Sequence, residues 1–304
     1  MKAGRKMLDF LKNIPQYLAN GMANGCLYIL VAMGFNIIYN STGIINFAQG
    51  EFSMFGGLFT YALAVSAGLP IPLAALLAVL ATAAVGGAME RLMIYPLRRA
   101  GVLTAIIATV GASIFFKSLG RVFWPSEAYK VPEFTPGTFR LPGATVSKQF
   151  LWVTGLTVVC VALVYLFFSR TRAGKAMRAC SVNRQAATLV GINVSRMSLY
   201  SFILAAALGG AAGMISAPFA SYGMGLEMGI KGFTASVVGG LGNTFGAVVG
   251  GLVLGLLEEL IPGFLNVVLG ISTGYKGAVS AIILIAVLLL RPQGLLGRGL
   301  AEKV

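Results

Sequence analysis

Residues 174–191 read GKAMRACSVNRQAATLVG. The stretch follows Arg170 and Arg172, carries Lys175, Arg178 and Arg184, and contains no acid. Ala176, Met177, Ala179, Ala186, Ala187, Leu189 and Val190 give it small apolar surface at helical spacing. On either side, residues 150–169 and 198–218 are uncharged and apolar. Each run is about the 20 residues that a helix needs to cross a bilayer. The stretch therefore reads as a short, folded, basic loop between two membrane-crossing helices. Its positive charge places it on the cytoplasmic side, and its small residues suit it to being gripped by a partner.

The rest of the chain follows the same logic. Of its 304 residues, 57% are apolar and 11% charged, with a mean hydropathy of +0.86. Soluble domains average about 45–50% apolar and about 25% charged. The expected fold class is all-α, a polytopic transmembrane helical bundle of about eight spans with a re-entrant or broken helix, in one transmembrane domain over 1–304. The net charge of +14 raises a nucleic-acid reading. The basic residues sit in loops between apolar runs, however, which is a membrane-topology pattern and no nucleic-acid face. Cys26, Cys160 and Cys180 show no CxxC spacing, and histidine is absent. No disulfide framework, zinc site, histidine metal site or Ser-His or Cys-His catalytic centre is indicated. No cofactor is expected. The basic start, with Lys2, Arg5, Lys6 and Lys12, reads as an uncleaved interfacial lead ending near Pro15.

Along the chain, spans are expected at 17–39, 52–68, 71–94, 102–122, 150–169, 198–218, 234–257 and 275–290. Residues 40–57, NSTGIINFAQGEFSMFGG, are a polar interruption in apolar surroundings. Residues 123–149, with four prolines and mixed charge, read as an external loop, and 170–197 as the cytoplasmic loop. Placing every basic segment inside does not close the parity of crossings. Either 40–57 or 260–274 hides a crossing or a re-entrant segment, or the N-terminus lies outside despite its lysines.

Within 40–57, Asn46, Gln49 and Glu51 are costly if they face lipid, because unsatisfied polar groups in hydrocarbon cost several kcal/mol. Such groups usually face a cavity or a partner. Gly43 and Gly50 would permit a broken helix at that point. Asn46, Gln49, Gly50 and Glu51 are therefore candidates for the substrate pathway. The plainer reading is that Glu51 caps a helix start, where the helix dipole favours a carboxylate. Glu227 and Lys231 have favourable i,i+4 spacing and read as a structural ion pair at the outer rim. Glu258 and Glu259 read as a solvated helix end. The segment GGLGNTFGAVVGG at 239–251 lacks dinucleotide-fingerprint spacing and reads as close helix packing. No GxxxxGK[ST] occurs, so an ATP-driven process would need its motor in another chain.

Three segments carry a resemblance. GKAMRACSVNRQAATLVGI followed by ALGGAAGMISAP is similar to the coupling-loop region of ATP-binding cassette importer permeases of the branched-chain amino acid type. TGIINFAQGEFSMFGG resembles that family's first polar signature. GIKGFTASVVGGLGNTFGAVVGGLVLGLLEEL and YKGAVSAIILIAVLLLRPQGLLGR resemble its C-terminal pattern. The resemblance covers about 17–298. It implies a transport subunit and no enzyme, in a bacterial inner membrane, with alternating access driven by two separate ATPase subunits. The implied partners are a homologous second permease forming a heterodimer and a periplasmic or extracellular substrate-binding protein. Carried over by position, the ATPase contacts would be Arg178, Ala179, Asn183, Ala186, Ala187 and Gly191. The resemblance also favours the pathway reading of 43–57. Related permeases for urea and short-chain amides share much of the pattern and stand as an alternative substrate class. A self-sufficient channel or secondary transporter would not need the docking loop. An intramembrane enzyme would need catalytic groups that the sequence lacks.

Overall fold

The computed structural model describes residues 2–125 and 128–297, so residues 1, 126, 127 and 298–304 of the expected single domain lie outside the described part. The long helices are α1 (Lys2–Thr42), α2 (Gln49–Tyr61), α3 (Ile71–Met89), α4 (Val102–Phe123), α5 (Gln149–Arg170), α8 (Val194–Ile215), α9 (Met224–Gly239), α10 (Thr244–Phe264) and α11 (Lys276–Leu290). Two short helices, α6 (Arg172–Val182) and α7 (Arg184–Leu189), lie between α5 and α8. Wider π turns extend α2 to Ser66, α3 to Ile94 and α10 to Leu269. Among the described residues six helices are long and apolar enough to cross a membrane, and α11 is a shorter apolar helix.

Among the described residues the fold is all-α with one exception. Within 123–149, strands β1 (Thr138–Leu141) and β2 (Ala144–Ser147) form a hairpin closed by Pro142-Gly143. Gly143 has a φ of +82°, the sign that the second central residue of such a turn requires. Proline at the preceding position presets φ, so the hairpin is local turn chemistry inside an otherwise irregular loop.

The hairpin also fixes the direction of α1. Thr145 donates its N–H to Gln16 Oε1 at 2.8 Å, and Lys6 Nζ donates to the carbonyl of Val268. At the other end, Arg184 of α7 meets the last turn of α1. Helix α1 is about 60 Å long at 1.5 Å per residue. Its N-terminus therefore lies on the hairpin face and its C-terminus on the face that carries α6 and α7, the basic face. It runs straight through Pro15, where a lead ending had been expected. Proline costs a helix interior about 3 kcal/mol. The Phe10 ring packs edge-on against Phe264 before it, and contacts that Gln16 makes with the hairpin and Tyr17 makes with Gly263 hold the helix after it.

Nine helices of 13 residues or more stand among the described residues, against about eight spans expected. Helices α1, α2 and α3 separate the N-terminus from the 95–101 turn, which shares the rim of one cavity with Arg184 and Ser195. That odd number puts the N-terminus opposite the basic loop. Helix α9 is an element of its own, whose end had been merged into a single 234–257 span. The break falls at Gly240–Asn243: Gly240 and Gly242 have φ of +109° and +87°, and Asn243 caps α10 by accepting from the N–H groups of Phe245 and Gly246. Residues 260–274 continue α10 and then turn through Thr273–Tyr275.

The core is built by close backbone approach. A Cβ at Gly50 would collide with the carbonyl oxygen of Gly225, and one at Gly251 with Ile29 of α1. With apolar lipid outside, burial of apolar area drives little association, so small residues that allow van der Waals contact and polar links carry the packing. Around these seams Leu30, Met33, Phe52, Met54, Leu58, Phe202 and Leu254 are fully buried.

Candidate functional site

Three side-chain caps cut 171–196 into separate helices. Thr171 accepts from the N–H of Gly174 (3.0 Å), Asn183 from Ala186 (3.0 Å) and Asn193 from Arg196 (3.1 Å). Each satisfies a backbone donor that a helix start leaves free, an effect of about 1 kcal/mol. Gly191, with a φ of +84°, ends the α7 turn in a conformation that costs glycine least. The inward side of the loop is Gly174, Met177, Cys180 and Ala187, all buried. Burial pushes the Cys180 thiol above its ordinary range, with Arg184 pulling the other way.

The outward side carries the charge. Lys175, Arg178, Asn183, Arg184, Ala186 and Gly191 are exposed and Ala179 is half-buried. Among them stand large apolar groups open to solvent: Val182, Leu189 and Val190 are 83%, 88% and 76% exposed. Arg178 also borders a cleft of about 680 Å³ between α1, α5, α6 and the start of α10, together with Asn40, Ser41, Tyr165 and Asn243. Of the residues singled out by resemblance, only Ala187 is turned into the protein (3% exposed).

The polar break after α1 is a compact unit. Asn46 Oδ1 accepts from the N–H of Ala48 at 3.0 Å, turning the chain into α2. Gln49 Nε2 donates to the carbonyl of Ala205 in α8 (3.0 Å), and Ser113 of α4 donates to Glu51 Oε1 (3.0 Å). Asn46, Gln49 and Glu51 are at most 1% exposed, and Gly50 is buried against Gly225 and Gly229 of α9. Four atoms in this short stretch find no hydrogen-bond partner: Asn46 Nδ2, Gln49 Oε1, Glu51 Oε2 and Ser53 Oγ. Unpaired buried polar atoms cost about 1–3 kcal/mol each, so their concentration in one turn marks a strained polar spot where α2, α4, α8 and α9 meet.

The break and the loop touch. Arg184 Nη1 donates to the carbonyl oxygen of Thr42 at 2.7 Å. That carbonyl is one of the last in α1, left without a helical partner, and it precedes Gly43 at φ +70°.

Two polar networks were not legible as such in the sequence. Asn36 bonds Ser236, the N–H of Gly242 and the carbonyl of Asn243 at 2.6–2.9 Å, fastening the α9–α10 break to α1. The second corrects the reading of Glu258 and Glu259 as a solvated end. Helix α10 continues past them, and they are 1% and 5% exposed. Tyr28 donates to Glu258 Oε2 (2.6 Å), Lys231 Nζ lies 2.7 Å from Glu258 Oε1, and Asn24 and Lys276 both donate to Glu259 Oε1. The Glu227–Lys231 pair is present at 2.6 Å, but its lysine is shared with Glu258. The usable signal was the spacing of Asn24 and Tyr28 on one face of α1.

The family described as "Branched-chain amino acid transport system / permease component" matches residues 17–288. The chain belongs to this family. It is 33% identical over 315 residues to the high-affinity branched-chain amino acid transport permease LivH of Salmonella typhimurium, covering 95% of this chain and 97% of that one. It is 35% identical over 305 residues to BraD of Pseudomonas aeruginosa, again covering 95% and 97%. An archaeal relative, a probable LivH of Methanocaldococcus jannaschii, is 32% identical over 89% of each chain. Among solved structures, a chain of PsaBC from Streptococcus pneumoniae in complex with Fab superposes with a TM-score of 0.56 at 13% identity, covering 94% of this chain and 97% of that chain. The chain is thus a multi-pass membrane permease subunit, and the likeness to PsaBC is one of fold.

Proposed function

We propose that this chain is the membrane-spanning subunit of an ATP-binding cassette importer that moves branched-chain amino acids inward by alternating access. The observation that carries the proposal is the capped, outward-facing α6–α7 unit bonded to the polar break through Arg184 and Thr42. A partner that grips α6–α7 would pull directly on the junction of α1 and α2. Family membership and the relatives' substrates support the choice of cargo.

In this reading the whole of 1–304 is one permease domain. The basic face, with 170–197, is cytoplasmic, and 123–149 with its hairpin is external, in a bacterial inner membrane. Two separate ATPase subunits dock on Arg178, Ala179, Asn183, Ala186 and Gly191, with Ala187 supporting that surface from beneath. A homologous second permease completes the route as a heterodimer, and a binding protein delivers substrate to the hairpin face. Asn46, Gln49, Gly50 and Glu51 are the pathway's switch. They are buried between α4, α8 and α9, and they become available when that seam opens. Hydrolysis belongs to the partners, since this chain has no phosphate-binding loop.

Purification of the tagged chain from its own membrane tests the partners, and reconstitution with them in liposomes tests the cargo. The expected result is two ATPase subunits, a second permease and leucine uptake that requires ATP and the binding protein. Uptake of leucine without an ATPase, or ATP-driven uptake of urea or an amide with none of leucine, would overturn the proposal.

A further inference from the structure

The polar network across α1, α9 and α10 ends in an open group. Glu258 is buried, with Oε2 held by Tyr28, and Oε1 lies beside Lys231 without hydrogen-bond alignment. The Lys231 side chain is 11% exposed and also lies over the Tyr28 ring at 5.5 Å. Its other contact is Glu227, whose side chain is 64% exposed. Glu259 has a cation of its own in Lys276. Lys231 is therefore shared by Glu227 and Glu258, so the three carboxylates of this cluster outnumber its two lysines by one, and Glu227 is the member that faces outward.

The surroundings of Glu227 define what fits there. Helix α9 is open only over its first turns, where Leu226 and Ile230 are 53% and 49% exposed. From Thr234 onward it is buried. Towards the basic face the same side continues with Phe233, whose ring packs on those of Phe35 and Phe47 (5.7 and 6.0 Å), and Phe47 is 41% exposed. A carboxylate anchored through a buried lysine is a poor lipid-facing group, since ionisable residues at membrane depth face a cavity or a partner. A carboxylate that shares its one lysine with a second carboxylate, at one end of an apolar strip, matches a ligand with an ammonium group and a branched aliphatic tail.

We infer that the exposed face of α9 is a substrate-contact site on the route: Glu227 takes the α-ammonium group of the permeating amino acid, and Ile230, Phe233 and Phe47 take its side chain. Lys231 and Glu258 are positioning residues that hold Glu227 in place. This rests on the proposed amino-acid import and adds to it a site outside the polar break of α2.

The test uses the assembled importer in liposomes, with external binding protein and internal ATP. Glu227→Gln should lower L-leucine uptake at least tenfold, and Glu227→Asp should restore most of it. Ile230→Cys, in a chain whose native cysteines are replaced, should react with a membrane-impermeant thiosulfonate, and L-leucine turnover should slow that reaction. Glu227→Gln uptake equal to that of the unaltered importer overturns the assignment. So does a thiol at 230 that never reacts, as expected for a lipid-facing or sealed surface. An unaltered importer that moves no branched-chain amino acid overturns the functional reading itself. That result is separate, because it precedes any variant.

Discussion

Arg184 of α7 donates a hydrogen bond to the carbonyl oxygen of Thr42, the last residue of α1, across 142 positions of sequence. It is a direct polar link between the proposed motor-docking unit and the turn that leads into α2. A charged donor on an otherwise unpaired helix-end carbonyl is worth about 1.5–3 kcal/mol. Arg184→Ala should leave ATP hydrolysis running in the assembled importer while uptake falls about tenfold, because the motor then moves α7 without carrying α1. Arg184→Lys should recover part of the loss. The ratio of uptake to hydrolysis is the quantity to measure; a ratio unchanged in Arg184→Ala would remove the link from the mechanism.

Docking itself is better tested by exposed residues than by buried ones. Leu189 is 88% exposed and Arg178 points outward. Leu189→Asp and Arg178→Glu should leave the chain in the membrane at normal levels, reduce the ATPase that co-purifies with it, and abolish uptake. Ala187→Trp is a different experiment. Ala187 is 3% exposed, so a large ring there must displace α7, at about 1–3 kcal/mol. Its effect on uptake would report the local fold as much as the partner. Normal ATPase recovery with Leu189→Asp would mean that the partner grips elsewhere.

The spans with charged or proline-marked ends were legible in the sequence. Helix α3 was expected at 71–94 and ends, with its π turn, at Ile94, and α4 was placed to within one residue at Phe123. The separation of α9 from α10 was not legible, because GGLGN contains no proline and no charge. A glycine-rich apolar run is consistent with both a continuous helix and a tight break. The break comes from two positive-φ glycines and a capping asparagine held by Asn36, a residue 207 positions away from that asparagine. The polarity of Asn46, Gln49 and Glu51 was visible. That all three would be enclosed by α4 and α8 was not, since enclosure depends on glycines that let the helices approach. Glu258 and Glu259 were misplaced for a related reason: their partners Tyr28, Asn24, Lys231 and Lys276 lie on three other helices.

Gly50 offers a stability test at the seam. A Cβ there would collide with the Gly225 carbonyl and the backbone of Gly229. Gly50→Ala should force α2 and α9 apart and cost about 1–3 kcal/mol, the usual range for overpacking. In detergent this should appear as a thermal midpoint lower by several degrees. Gly155 on α5, which has open space around its Cβ position, is the matched control. Gly155→Ala should leave the midpoint unchanged or raise it, because alanine favours helix. Equal midpoints for the two variants would show that α2 and α9 stand further apart than described.

Glu51 separates the two readings of the polar break. If it only capped α2, its carboxylate would be expected to accept from a backbone N–H at the helix start, as in a capping box. Instead Oε1 accepts from Ser113 of α4, and Oε2 is buried beside Gly225 with no partner. A carboxylate held in that state is unfavourable for folding, since burying an incompletely paired charge costs several kcal/mol. Glu51→Gln keeps an acceptor for Ser113 and removes the charge. The thermal midpoint should therefore stay level or rise while leucine uptake falls at least tenfold. That combination identifies a group retained for transport at the expense of stability. A fall in the midpoint with uptake intact would instead assign Glu51 to the helix start, as a dipole partner that the fold needs and the route does not.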